Sequence, residues 1–164
     1  MAQAKTVGEA VQSMSVLMAN LYYHLTKAVI EDFGDKAIES FRRGISEFGF
    51  ERGQKIAQEV KKAGLPLTLE NLDRFYDMPI VEGWDPHRVY ENDRKISTTE
   101  RCTFADVWLE KDWAEIGQIY CLTDIAIREG YSTNVKFSPV KNILEGDPYC
   151  QSLSVYRDIT QKGQ

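Results

Sequence analysis

The chain has 164 residues, 43% hydrophobic and 27% charged, the composition of a globular protein with enough length to bury a core in one domain, 1–164. Its net charge of −5 and pI near 5.1 speak against nonspecific binding to nucleic acid or to anionic membrane, both of which need concentrated positive charge. Glu9, Gln12, Asn20, His24 and Lys27 interrupt the apolar segment 7–30, so it reads as neither secretory signal nor bilayer span. With an odd three cysteines, which favours a reducing compartment, the expected location is cytoplasmic.

The N-terminal region, 6–33, reads as helix. Leu17, Leu21, His24 and Ala28 recur at helical spacing, with Met14 and Leu25 widening the apolar stripe, and His24 is expected to be a hydrogen-bonded core residue. Phe33-Gly34-Asp35 should stop this helix and start a second, carrying Ile38, Phe41, Ile45, Phe48, Ile56 and Val60. Gly44, Gly49 and Gly53 lie inside it, each costing about 1 kcal/mol relative to alanine, so close packing or a kink near Gly49 should compensate.

Gly64-Leu65-Pro66 ends that helix, and Thr68 is a fitting N-cap for a short third one that Met78-Pro79 would end. A loop follows to His87, which is expected to be solvated. From Arg88 to Thr103 the pattern is strand, with Asn92-Asp93 as hairpin turn. Residues 104–129 return to helix, broken near Lys111-Asp112 and stopped by Gly130. Val135–Leu144 and Tyr149–Tyr156 read as two strands around the turn Glu145-Gly146-Asp147-Pro148, and 160–164 as a frayed end. Helices first, then an antiparallel sheet carrying an inserted helix, make the fold class α+β. The exposed face of the N-terminal helices is read as able to support a homodimer.

The three cysteines mark the informative stretches. Gly64-Leu65-Pro66-Leu67-Thr68-Leu69-Glu70-Asn71, Arg101-Cys102 with Trp108, Tyr120-Cys121 with Asp124, and Leu144-Glu145-Gly146-Asp147-Pro148-Tyr149-Cys150 occur in an order that resembles the L-2-amino-thiazoline-4-carboxylic acid hydrolase family, over about Phe41 to Asp158. That resemblance implies opening of a cyclic isothiourea to an N-carbamoyl-cysteine. The Tyr-Cys and Gly-Asp-x-x-Cys pieces are also similar to small-molecule-binding domains related to 4-vinyl reductase, which implies the alternative of a non-catalytic binding or sensing module. Some of those sensors hold zinc through a glutamate and cysteines. Here Cys121 and Cys150 match such positions, but Pro139 and Asn142 stand where the glutamate and the middle cysteine would be.

Cys121 and Asp124 lie three apart on a helix and share a face. Asp124 could hold a cationic amidine by paired hydrogen bonds or activate water as general base, and a Cys121 thiolate could attack C2 of the substrate. A neighbouring carboxylate suppresses the thiolate, so that route needs a cation, with His24, His87 or Arg101 as candidates. Cys121 is equally a small buried apolar residue. Cys102, Arg101, Trp108, Tyr120 and Cys150 are candidates to line the substrate pocket, with Arg101 meeting a carboxylate. The alternatives are a solvated Arg101 and a plain hairpin at Gly146–Cys150. Three cysteines and a histidine can bind zinc, but these are too widely spaced for the short paired-ligand pattern, so no metal or cofactor is expected. The partner expected is a small molecule.

Overall fold

The computed structural model describes residues 6–78, 84 and 86–157. The proposed helix end at Pro79, part of the loop before His87, the frayed 160–164 and the limit at Asp158 lie outside them. The order is α1 (Val7–Phe33), α2 (Asp35–Lys62), α3 (Leu69–Arg74), β1 (His87–Glu91), β2 (Arg94–Thr99), α4 (Thr103–Glu110), α5 (Ala114–Tyr131), β3 (Val135–Lys141), a 3-10 turn (Ile143–Glu145) and β4 (Cys150–Tyr156). The strands form one antiparallel sheet ordered β1-β2-β4-β3, so the fold is α+β as the sequence predicts, with the helical stretch between the hairpins broken into α4 and α5. Among the described residues no helix is long and apolar enough to cross a membrane.

Local chemistry explains the boundaries. Thr6 and Glu9 close a reciprocal capping box, Thr6 N–H to Glu9 Oε2 at 2.7 Å and Glu9 N–H to Thr6 Oγ1 at 3.2 Å. Gly34, with φ of 64°, ends α1. Thr68 caps α3 by accepting from the Asn71 N–H at 3.2 Å. Asn92 takes a positive φ of 54° in the β1–β2 turn, and Asp112, at 53°, breaks α4 from α5.

Several sequence expectations are corrected. The stripe of α1 faces outward: Met14, Leu17, Leu21 and Leu25 are all more than half exposed, and His24 and Ala28 are exposed with them. The buried face carries Ser15, Ala19 and Thr26, because the helix is held by donors from large aromatic groups. Trp108 Nε1–H donates to the Ala19 carbonyl at 3.0 Å, Trp113 Nε1–H to Thr26 Oγ1 at 3.0 Å, and Tyr22 O–H to the Ile116 carbonyl at 3.1 Å. Small residues bring α1 close enough for those bonds.

Gly130 does not stop α5, which continues through Tyr131; it lies inside a backbone-close crossing with α2. A Cβ there would stand 2.1 Å from the Phe50 carbonyl oxygen, and one on Gly53 would stand 2.1 Å from that of Ile127. Close packing therefore offsets the glycine cost, and α2 runs as one helix without a break at Gly49. The predicted strand Val135–Leu144 is also shorter, ending at Lys141, because Asn142 caps the 3-10 turn through a 3.0 Å bond from the Leu144 N–H.

Candidate functional site

Alternation along the strands places three cross-strand rows on the face of the sheet that meets α3 and α5. The first is Tyr90, Lys95, Ser154 and Phe137; the second is Arg88, Ser97, Ser152 and Pro139; the third is Thr99 and Cys150. Lys95 and Ser154 are fully buried and Arg128 of α5 stacks 4.5 Å over the Phe137 ring, which fixes this as the inner face. Half of these ten inner positions, Ser97, Thr99, Cys150, Ser152 and Ser154, are small and polar. Opposite them, α5 presents Cys121, Asp124 and Arg128 at helical spacing. A polar strip thus runs between the two layers, with Cys121, Asp124 and Arg128 on one side and Cys150, Ser152 and Ser154 on the other.

Charges cluster at one end of the strip. Asp73 of α3 accepts from Lys95 Nζ at 2.8 Å, lies 3.3 Å from Arg88 Nε, and accepts a short bond from the Tyr90 hydroxyl. Burial pulls the Lys95 ammonium down from its ordinary range, with the Asp73 carboxylate opposing that pull. Arg128 donates to Asp124 Oδ1 at 2.7 Å and to the Asp124 carbonyl at 2.9 Å. Burial works against the Arg128 charge, yet Asp124, with Tyr76 and Asp73, more than restores it. The Arg128 side chain is 11% exposed and that of Asp124 51%, so the carboxylate is the strip's open point. Arg128 Nε–H and Ser154 Oγ have no hydrogen-bond partner among the described residues.

The thiols gather at the other end. Cys102 N-caps α4, Cys121 sits on α5 and Cys150 opens β4, all free and partly buried. Asn142 joins two of them: its Oδ1 lies 3.9 Å from Cys150 Sγ, and its side chain hydrogen-bonds the Cys121 thiol. The Ile143 N–H points at Cys150 Sγ at 3.4 Å. Gly146 adopts φ of 91° and Asp147 Oδ2 accepts from the Asn142 N–H at 2.9 Å, so the hairpin chemistry read from the sequence is what positions Asn142 and Cys150. Burial first, then the Asp124 charge and the other two thiols, push the Cys121 thiol far above its ordinary range. Burial likewise raises Cys102 and Cys150.

The structure therefore brings Cys102, Cys121, Asp124 and Cys150 to one strip, takes Arg101 away from it, and buries Trp108 in the cluster against which Cys102 and Cys121 pack. Arg101 is 64% exposed in its side chain and ion-paired to Asp106 at 2.9 Å. Trp108 is 1% exposed, in a ring cluster with Tyr22, Phe104 and Tyr120 whose centroids lie 5.0–5.8 Å apart. Tyr120 belongs to that cluster, beside the thiols. His24 and His87 are exposed, and no cation is among the groups acting on the Cys121 thiol. Among the described residues no three His, Cys, Asp or Glu side chains are arranged to hold a metal ion; Asn142 stands among the thiols instead. An open groove of about 330 Å³ does lie on the far side of α5, between Glu47, Phe50, Gln54 and Glu129, but it is shallow and holds none of these groups.

Sequence reasoning missed Asp73, Lys95, Arg128, Ser152 and Ser154, and named Asn142 only as a departure from a zinc-ligand position. Arg128 was findable as the residue four beyond Asp124, and Ser152/Ser154 as the polar alternation of β4. The Asp73–Lys95 pair joins distant segments and leaves no local signal.

The fold and strip define an α+β protein with a polar site between its helical and sheet layers. The chain belongs to the L-2-amino-thiazoline-4-carboxylic acid hydrolase family, whose model matches residues 14–152 and so takes in most of α1 as well as the motifs. No curated protein sequence matches it. Among solved structures, it is similar in fold to a trafficking protein particle complex subunit 3 from Naegleria fowleri covalently bound to palmitic acid, at 14% identity and TM-score 0.51, over 88% of this chain and 95% of that one. It is also similar to the phenol-responsive sensory domain of the transcription activator PoxR with phenol, at 18% identity and TM-score 0.50, over 84% of this chain and 73% of that one.

Proposed function

We propose that this protein is a hydrolase for a small zwitterionic cyclic amidine, L-2-amino-thiazoline-4-carboxylate or a close analogue, opening it to an N-carbamoyl-cysteine-type product. One observation carries the reading: a half-exposed carboxylate, Asp124, sits beside a buried guanidinium, Arg128, in a strip of small polar side chains. A substrate with an amidinium at one end and a carboxylate at the other is the charge complement of that pair. The Arg128 Nε–H, without an acceptor among the described residues, suits the substrate carboxylate.

Asp124 acts as general base. It takes a proton from a water whose oxygen attacks C2, giving a tetrahedral carbon with hydroxyl, amino, ring nitrogen and ring sulfur. The C2–S bond then breaks, its electron pair leaves on sulfur, and sulfur takes the proton held by Asp124. The carboxylate of Asp124, freed by that transfer, takes the hydroxyl proton as the urea carbonyl forms and passes it to solvent, which balances the proton the amidinium brought. Cys121 remains a neutral thiol in this scheme and lines the site, since burial and Asp124 both oppose its ionisation.

The test follows release of new thiol from L-2-amino-thiazoline-4-carboxylate. Asp124→Asn should lower turnover by about 10²–10⁴-fold with its circular dichroism unchanged, the range expected for loss of a general base. Cys121→Ala should stay within about tenfold of the parent. Turnover abolished by Cys121→Ala in a folded protein would move the attack to the thiol. A second reading, ligand binding without catalysis, is supported by the two similar solved structures, each of which holds a small molecule; substrate binding with no thiol release in the parent would favour it.

A further inference from the structure

The outer face of α1 is apolar from Val7 to Ala28 but for His24, which is exposed among the leucines. Val7 is 73% exposed, Met14 58%, Leu17 62%, Met18 48%, Leu21 60% and Leu25 56%, and Ala10 and Ala28 complete a stripe at heptad spacing. A helix of 27 residues is about 40 Å long, and the stripe approaches the ~800 Å² that each partner supplies to a standard interface. Patches of this size on a folded protein mark a contact surface.

The charges say what covers it. From Ala10 to Thr26 the helix carries no Asp, Glu, Lys or Arg, while Glu9 lies at one end and Lys27, Glu31 and Asp32 at the other. Side by side in parallel, two copies would set Glu9, Lys27, Glu31 and Asp32 each against itself. In antiparallel, with a two-fold axis between Leu17 and Met18, Glu9 faces the turn that holds the partner's Lys27. The same register sets Met14 against Leu21, Ala10 against Leu25 and Val7 against Ala28, so the small residues accept larger ones. An anionic membrane is a poor match, because an interfacial helix keeps a basic polar face. The opposite face of α1 is instead packed on Trp108 and Trp113.

We infer that α1 is the seam of an antiparallel homodimer of this chain, centred on Leu17 and Met18. The interface is isologous, so every stripe residue is used twice and the assembly closes at two copies.

The parent protein should sediment as a dimer at micromolar concentration, and Leu17→Asp combined with Leu21→Asp should weaken association by at least about 100-fold while keeping the helical circular dichroism. Orientation is read by disulfide cross-linking with peptide mapping. Met14→Cys protein mixed with Leu21→Cys protein should form the 14–21 link at least about tenfold more than either variant links to itself. A monomeric parent overturns the inference. So do self-links at position 14 or 21 that dominate, which mean a parallel pair, and flotation of the parent with anionic phospholipid vesicles, which makes the stripe a lipid-binding face.

Discussion

Helix α5 is fixed differently on its two sides. Toward α2 it meets backbone with backbone: Gly53 and Gly130 leave no room for a methyl group, and a Cβ on Gly49 would stand 2.8 Å from both the Ala126 Cβ and the Thr123 carbonyl oxygen. Toward the sheet it is held by a charge, Arg128 over Phe137, and beside it the Lys95–Asp73 pair joins α3 to β2. The glycine side depends on the absence of side chains and cannot adapt. The sheet side depends on balanced partners, and a balanced set can be exchanged for another. A helix pinned rigidly on one face can therefore present reactive groups on the other with little freedom to drift, which is what a base poised against a small substrate needs.

The sheet side should show the largest single loss. Asp73 is the acceptor for Lys95, whose side chain is 2% exposed, and it also offsets Arg88. Asp73→Ala leaves a buried ammonium uncompensated and should cost about 3–5 kcal/mol in urea unfolding. The double replacement Asp73→Leu with Lys95→Met removes both charges and should recover most of that loss. Equal losses in the single and double variants would mean that shape rather than charge balance holds this side.

On the glycine side, Gly53→Ala should cost about 3 kcal/mol, since its Cβ would lie inside contact distance of backbone that cannot swing aside. Gly44, whose Cβ would meet nothing within 4 Å, is the internal control: Gly44→Ala should stabilise by about 1 kcal/mol through helix propensity alone. If both alanines stabilise, the crossing is looser than backbone contact, and the proposed rigidity of α5 goes with it.

The same contrast explains what the sequence could and could not reveal. Element order and class were legible because Gly34, Gly64-Leu65-Pro66, Thr68 and Asn92-Asp93 act through their own backbone angles and caps, which are local. The α1 stripe was legible as a stripe but misread in direction. Periodicity reports that one face is apolar without reporting what lies against it, and here the core took the small face for the sake of indole hydrogen bonds. Cys121 and Asp124 shared a face as helical spacing demands. Their chemistry was less legible, because it rests on Arg128, Asn142 and the inner face of β4. A cation at Cys121 was sought in Arg101, His24 or His87, whereas the strip's buried cations, Arg128 and Lys95, are tied to the carboxylates Asp124 and Asp73. Asp73 and Lys95 meet only after α3 docks on β2, and no spacing rule connects them.

The thiol end of the strip gives the smallest effect and decides a point of chemistry. In the unfolded chain a cysteine titrates near about 8.5, while burial and Asp124 keep the folded Cys121 protonated well above that. The folded state then binds more protons than the unfolded one once pH passes the unfolded value. The thiol's contribution is full below that pH and declines as pH rises, by at most about 1.4 kcal/mol per pH unit. Lys95, pulled down by burial, acts in the opposite sense, so the parent's own pH profile mixes the two and the Cys121→Ala variant is needed as reference. Between pH 8.5 and 9.5 the stability advantage of the parent over Cys121→Ala should shrink by about 1 kcal/mol. An advantage that stays constant or grows would mean the folded thiol already ionises near its ordinary pH, and nucleophilic attack by Cys121 would displace the Asp124 route. A shrinking advantage leaves Asp124 as the group in the strip placed to take a proton from water.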